Sequence, residues 1–346
     1  MKETAKSTVE VGGDQAKEQE AHASFAQRLR ERLADVVAQL TAAGALIIVF
    51  IVFSIASPDF LTFNNLFNII SQTTVTAIIA IGMTFVIITA GIDLSVGSTA
   101  ALGGMLGTLI IAHTSGNWPL GVLGGTLVGG AVGLVNGLLI TKARLSPFIT
   151  TLGMMSVARG VVYLSTGAVA VYGLPDNFAL LGEGSIDSIP IPLIILLVVA
   201  VLAYFLLTRT RLGRHTYAIG SNPEAARLSG IPIVLTLIVI YVLQGLLAGF
   251  GGMIASSRVV SGQPNFGIGL ELDVIAATVI GGASLFGGQG TIIGTLIGAF
   301  LIAVIRNGAV LLNINEFYQE VIIGVVIWLA VYWDQFRRRR LTAVSR

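Results

Sequence analysis

Few residues in this chain are of a type that does chemistry, and one of them stands in unexpectedly apolar company. Asp93 lies in TAGIDLSVG, Thr89 to Gly97, between AIIAIGMTFVII and STAALGGMLGTLII. An ionisable group inside a membrane costs about 3 kcal/mol or more unless it is paired or solvated. Three roles are open for it. A carboxylate accepts hydrogen bonds well and would serve the hydroxyls of a passing solute. It would equally cap a helix, taking the amides of Ser95 and Val96 at the positive end of the next dipole. Or it would pair with a buried cation such as Arg159. Gly91 and Gly97 permit a tight break between two helices there, and a break frees amides that need acceptors, which favours the cap.

Other polar groups are also set in apolar sequence. Asn64, Asn65, Asn68, Gln72, Thr73 and Thr74 form a stripe of amides and hydroxyls. Such a surface suits a neutral solute that slides past, or hydrogen bonds between helices. Asn68, Gln72 and Thr74, with Asp93 and Ser95, are the candidate pathway and gate. Glu271 and Asp273 open a short apolar segment, where stabilisation of a helix N-terminus accounts for them. Arg306 lies close enough to a segment end to snorkel, whereas Arg159 is deeper.

The absences narrow the chemistry further. The chain has no cysteine, and His22, His113 and His215 are scattered, so no disulfide, thiolate site or metal cluster is expected. There is no GxxxxGK[ST] loop, HExxH or GxSxG. No catalytic residue and no cofactor is expected in this chain, and any ATP and Mg would be bound by another one.

Membrane helices must position these residues. Hydrophobic residues make up 54% of the 346 and charged residues 11%, against about a quarter charged in soluble domains. Mean hydropathy is +0.88. The reading is an all-α polytopic membrane bundle. With a window of about 20 apolar residues, ten segments fall near 37–56, 67–90, 94–113, 118–140, 148–166, 191–208, 233–255, 272–283, 291–311 and 318–334. The eighth is too short to cross as a regular helix and reads as half of a re-entrant pair with the start of the ninth. Residues 1–36 form a polar arm ending in a basic amphipathic helix, 37–334 the permeation domain, and 335–346 a basic tail.

Orientation follows from Lys and Arg. With the N-terminus inside, inner connections hold Arg28, Arg30, Arg32, Lys142, Arg144, Arg209, Arg211, Arg214, Arg227 and Arg337 to Arg340, whereas outer ones hold Arg258 alone. Both termini are therefore expected to be cytoplasmic. Gly121, Gly125, Gly129, Gly133 and Gly137 recur every four residues and offer a continuous small face to another helix.

The longest inner connection runs from Thr208 to Pro232. In it Asn222 precedes Pro223 as an N-cap before a helix-starting proline, Glu224 falls in the first turn, and Gly230 with Pro232 ends the helix. A helix of about two turns on the cytoplasmic face is expected, tied to the spans on either side. It reads either as a receiver of force from a partner or as an ordinary loop helix.

FLTFNNLFNIISQTTVTAIIAIGMTFVIITAGIDLSVGS, TRLGRHTYAIGSNPEAARLSGI and ELDVIAATVIGGASLFGGQGTIIGTLIGAFLIAVIRNGAVLLNI together resemble the membrane permease of bacterial ribose-type ABC importers. That family also serves xylose, arabinose, galactose and autoinducer-2, and is more distantly related to branched-chain amino acid permeases. The resemblance runs from about residue 45 to residue 334. It implies a pore-forming subunit of the inner membrane that pairs with a second copy or paralogue. Cytoplasmic ABC ATPase subunits would drive it, and a periplasmic sugar-binding protein would deliver the solute. It implies no nucleic-acid partner. Asn222, Pro223, Glu224, Ala225, Ala226, Arg227, Leu228, Ser229 and Gly230 then look like the coupling helix gripped by the ATPase. Glu183, Asp187 and Arg258 offer the binding protein a docking surface outside. The rival readings are an ion-coupled secondary transporter with Asp93 or Asp273 as its ion site, a membrane scaffold, and the same ABC role for autoinducer-2 or another small polar solute.

Overall fold

The computed structural model describes residues 39–343, with the side chains of 327, 330 and 333–343 left aside. The expected amphipathic arm lies outside the described residues. The elements are α1 (Gln39–Ala56), α2 (Phe63–Ile88), α3 (Val96–His113), α4 (Trp118–Thr141), α5 (Pro147–Thr166), α6 (Leu180–Glu183), α7 (Ile191–Arg209), α8 (Arg211–Ser221), α9 (Pro223–Leu228), α10 (Ile233–Arg258), α11 (Leu270–Ile280), α12 (Ile292–Leu311) and α13 (Glu316–Ala343). Among the described residues eight helices are long and apolar enough to cross a membrane: α1 to α5, α7, α10 and α12. The bundle is all-α as expected, with one two-residue hairpin, β1 (Ser185–Ile186) with β2 (Ile189–Pro190), on the outer side.

The bundle is built around α2, whose most apolar window is 83% buried. Apolar residues Val75 to Ile88 fill the main core together with Ile240, Tyr241 and Ala248 of α10 and Val274 and Ala277 of α11. Glycine supplies the second principle of packing. A Cβ at Gly129 would come to 2.2 Å from the Gly245 carbonyl, and one at Gly125 to 2.4 Å from that of Gly103. The four-residue glycine repeat of α4 is thus the face on which α10 and α3 lie, backbone against backbone.

The eighth crossing departs from the re-entrant pair expected of it. Thr278 Oγ1 of α11 lies 3.5 Å from the Ala80 carbonyl of α2, and Gly288 N donates to the Ile88 carbonyl at 2.8 Å. The segment therefore runs alongside α2 down to its inner end instead of turning back. Seven residues before Thr278 and Ala80, Glu271 is level with Thr73, ten residues inside Phe63, or about 15 Å below the outer end of α2. Hence α11 begins inside the bundle. The chain reaches that depth as a coil, Val259–Gly269, coming down from the outer end of α10.

Two contacts fix the depth of the coil. Gly267 and Gly97 touch so closely that a Cβ on either would meet the other's carbonyl oxygen at 2.2–2.4 Å. Gly97 lies sixteen residues before His113, about 24 Å along α3 from its outer end. Arg159, seven residues from the outer end of α5, donates from Nη1 to the carbonyls of Pro264 at 2.9 Å and Phe266 at 2.8 Å. Gly267 and Gly269 take φ of 74° and 79°, which an L residue adopts only at a cost. The eighth crossing is thus a coil followed by a half-length helix.

Candidate functional site

The inner face is organised around α8 and α9. Asn222 caps α9, its Oδ1 accepting the amides of Glu224 at 3.1 Å and Ala225 at 3.0 Å. Gly230, at φ 76°, ends it. Only Ala226 of Pro223–Leu228 is buried, and Leu228 is 75% exposed. Glu224 and Arg227 form an exposed ion pair one turn apart, which holds the Glu224 carboxyl below its ordinary range. The sequence located this short helix. It did not separate α8, which fills the preceding eleven residues and buries Gly213, Thr216 and Ile219; a run of TRTRLGRH reads as a charged loop until the three small or apolar positions are seen on one face.

α8 connects α9 to the interior. Gly220 sits where a Cβ would be 1.7 Å from the Ile88 carbonyl and 2.6 Å from Gly288 N. Tyr217 Oη donates to the Gly290 carbonyl at 2.7 Å. The end of α2 and the loop between α11 and α12 therefore meet against one helix, and that helix leads directly into α9.

Asp93 sits at the break that follows α2. It is 2% exposed, and its Oδ1 accepts from Ser95 N at 2.9 Å and Ser95 Oγ at 2.6 Å. The carboxylate thus closes a turn just before α3, bonding the Ser95 amide and hydroxyl and not the Val96 amide. Asn136 Nδ2 of α4 donates to Ser95 Oγ at 3.0 Å, and Thr151 Oγ1 of α5 donates to the Ile92 carbonyl at 3.2 Å. The pairing with Arg159 considered for Asp93 does not form, because Arg159 is spent on the carbonyls of 264 and 266. Near the break Asn136 Oδ1 and Tyr241 Oη, and deeper along α2 both amide atoms of Gln244 beside Gly82, are buried with no hydrogen-bond partner among the described residues.

The polar stripe of α2 divides. Asn65 and Asn307 exchange amide hydrogen bonds at 2.9 and 2.7 Å, clasping α2 to α12, and Thr73 and Thr74 hydroxyls return to the carbonyls of Ile69 and Ile70. Asn64, Asn68 and Gln72 are exposed, at four-residue spacing on one face. Thr74, Ser95 and Asp93 are each buried, Thr74 in the outer half of α2 and away from the other two.

On the outer side Arg258 packs against Gly182, next to Glu183, and Asp187 stands at the hairpin turn with φ 46°. Arg306 differs from the snorkelling expected of it: Nη2 donates to Asp273 Oδ1 at 2.9 Å and Glu320 Oε1 at 3.1 Å, tying α12 to α11 and α13. Among the described residues no cluster of three or more His, Asp or Glu could hold a metal ion.

Residues 65–331 match the profile of the family described as branched-chain amino acid transport system, permease component. The chain is 45% identical over 294 residues to the ribose import permease protein RbsC of Escherichia coli (strain K12), covering 84% of this chain and 91% of that one. It is 45% identical over 293 residues to RbsC of Bacillus subtilis (strain 168), with 84% and 90% covered. With the L-arabinose ABC transporter permease protein AraH of Azospirillum brasilense it shares 40% over 299 residues, with 86% and 88% covered. No solved structure matches.

Proposed function

The chain belongs to the permease family of branched-chain amino acid transport systems, and on that premise we propose that it is the membrane subunit of an ABC importer for a monosaccharide, ribose or a related sugar. It is a multi-pass protein of the bacterial inner membrane. The choice of sugar over amino acid rests on relatives named as ribose and arabinose permeases at 40–45% identity.

One observation carries the coupling role. α9 is a capped helix with an exposed leucine, and α8, which leads into it, packs directly against the end of α2 and the loop between α11 and α12. An exposed Leu228 next to a capped, ion-paired turn fits a cleft on another protein. In the cycle we propose, two ATP-binding subunits take Asn222 to Gly230 and move α8 as they close. Gly220 and Tyr217 pass that movement to the Ile88 and Gly288–Gly290 loops. A binding protein delivers sugar from outside at the Glu183, Asp187 and Arg258 face, and a second copy or paralogue completes the pore.

The test is reconstitution of the complete transporter in liposomes, with Glu224–Gly230 scrambled. Import is expected to stop while the chain still inserts and the ATPase still hydrolyses nucleotide. Import that continues undiminished refutes the coupling role. Uptake by this chain alone under a proton or sodium gradient would instead favour a secondary transporter.

A further inference from the structure

An irregular backbone is tolerated at membrane depth only where protein covers it or water reaches it, because lipid offers no hydrogen bonds. The coil Gln263–Gly269 is such a backbone, well inside the outer ends of α2, α3 and α5. This chain covers it only in part: Pro264 is buried and Phe266 packs on the core, while two of its seven residues remain open. Asn265 is exposed and Ile268 is 68% exposed. Several side chains around it are polar, beside the apolar Phe266, Ile268 and Leu270. Tyr163 Oη of α5 donates to Asn265 Oδ1 at 3.3 Å. Arg159, half-buried, lies behind the coil on the carbonyls of Pro264 and Phe266. Half-buried Glu271 follows on the first turn of α11, its Oε2 beside Gly97.

We propose that this coil, with Tyr163 and Glu271, is part of the wall of the passage, where water and the hydroxyls of a neutral sugar touch the chain. The inference rests on the permease reading. Asn265 and Tyr163 present an amide and a phenol, each able to donate and to accept, and Glu271 adds an acceptor. That set matches a polyol, whose every hydroxyl does both. Arg159 is a positioning residue, since its guanidinium is used on backbone carbonyls and keeps the coil open. The exposed Asn68 and Gln72 of α2 lie above the level of Glu271 on the outer side, as a sugar entering from outside would need.

The absence of native cysteine makes single thiols clean probes. Asn265→Cys is compared with Val201→Cys on the apolar surface of α7, 66% exposed, in right-side-out vesicles carrying the complete transporter, with a membrane-impermeant methanethiosulfonate added outside. Asn265→Cys is expected to react about tenfold faster or more, since a thiol in apolar surroundings stays protonated and inert. Ribose during turnover is expected to slow the reaction. Equal rates at the two positions, through cover by lipid or by a second copy, overturn the proposal. If rates are equal while the wild-type transporter imports ribose, the coil assignment falls and the permease reading stands. If Asn265→Cys reacts but neither ribose nor arabinose nor allose is imported or protects, the water-lined coil is supported and the sugar reading is refuted.

Discussion

Replacing Gly220 by alanine tests whether α8 transmits movement. The added methyl would stand 1.7 Å from the Ile88 carbonyl oxygen and 2.6 Å from Gly288 N, both backbone atoms that no rotamer change can clear. Ordinary contact is about 3.5 Å, so α8 must withdraw by about 1.8 Å. Overpacking of this kind costs about 1–3 kcal/mol. Loss of the neighbouring Gly288-to-Ile88 or Tyr217-to-Gly290 hydrogen bond adds about 1 kcal/mol. A bias of about 2 kcal/mol against the docked arrangement of α8 changes its equilibrium about thirtyfold. The assay is sugar imported per ATP hydrolysed in proteoliposomes. Gly220→Ala is expected to keep its ATPase and lower that ratio at least about fivefold. Gly153→Ala, whose Cβ meets nothing within 4 Å, serves as control and should leave the ratio unchanged. A wild-type ratio in Gly220→Ala would refute the path through α8. Should that variant fail to assemble, Tyr217→Phe removes only the hydroxyl on Gly290 and asks the same question with a shift of about 1 kcal/mol.

Asn222→Ala strips the cap from two amides of α9 at a local cost of about 1 kcal/mol; stimulation of the ATPase by the loaded binding protein should fall, with the membrane chain still folded and inserted. Asp93→Asn keeps an acceptor for Ser95 and should import at close to the wild-type rate, whereas Asp93→Ala loses both bonds and should lower stability; loss of transport in Asp93→Asn with stability intact would point to a carboxylate used for charge. Arg159→Met removes two hydrogen bonds from a charged donor, about 3 kcal/mol in all, and should lower the melting temperature along with import. Arg227 holds the Glu224 carboxyl low. The pair is therefore complete above the ordinary value of 4.5 and fades as pH falls through the depressed one. ATPase stimulation should then be flat from pH 8 to 5.5, and a fall within that window would show another group in control.

Much of this was legible in sequence because membrane spans and caps leave local marks. Apolar runs located the eight helices long and apolar enough to cross, and NPEAARLSG marked α9 through Asn222, Pro223 and Gly230. Gly91, Asp93 and Gly97 marked the break before α3. The coil was not legible. Val259–Gly269 reads as an ordinary outer connection, since composition does not say that a chain dips inward, and the contact that proves it joins Gly267 to Gly97 across 170 positions. Its one signal was Arg159, a deep cation whose partners turned out to be carbonyls and not Asp93. Arg306 was misjudged similarly: its distance from a helix end suggested escape to water, while Asp273 and Glu320, both remote in sequence, supply its charge in place.

Helices α3, α4 and α10 meet largely through glycine, backbone close to backbone, with only a few side chains such as Met253 wedged into their shared seam. Separating them would open gaps that neither lipid nor rotamers could fill. They should travel through the cycle as a single keel of fixed shape. Whatever rearrangement opens the passage must then be made by the other half of the bundle, around α11, α12 and their joints.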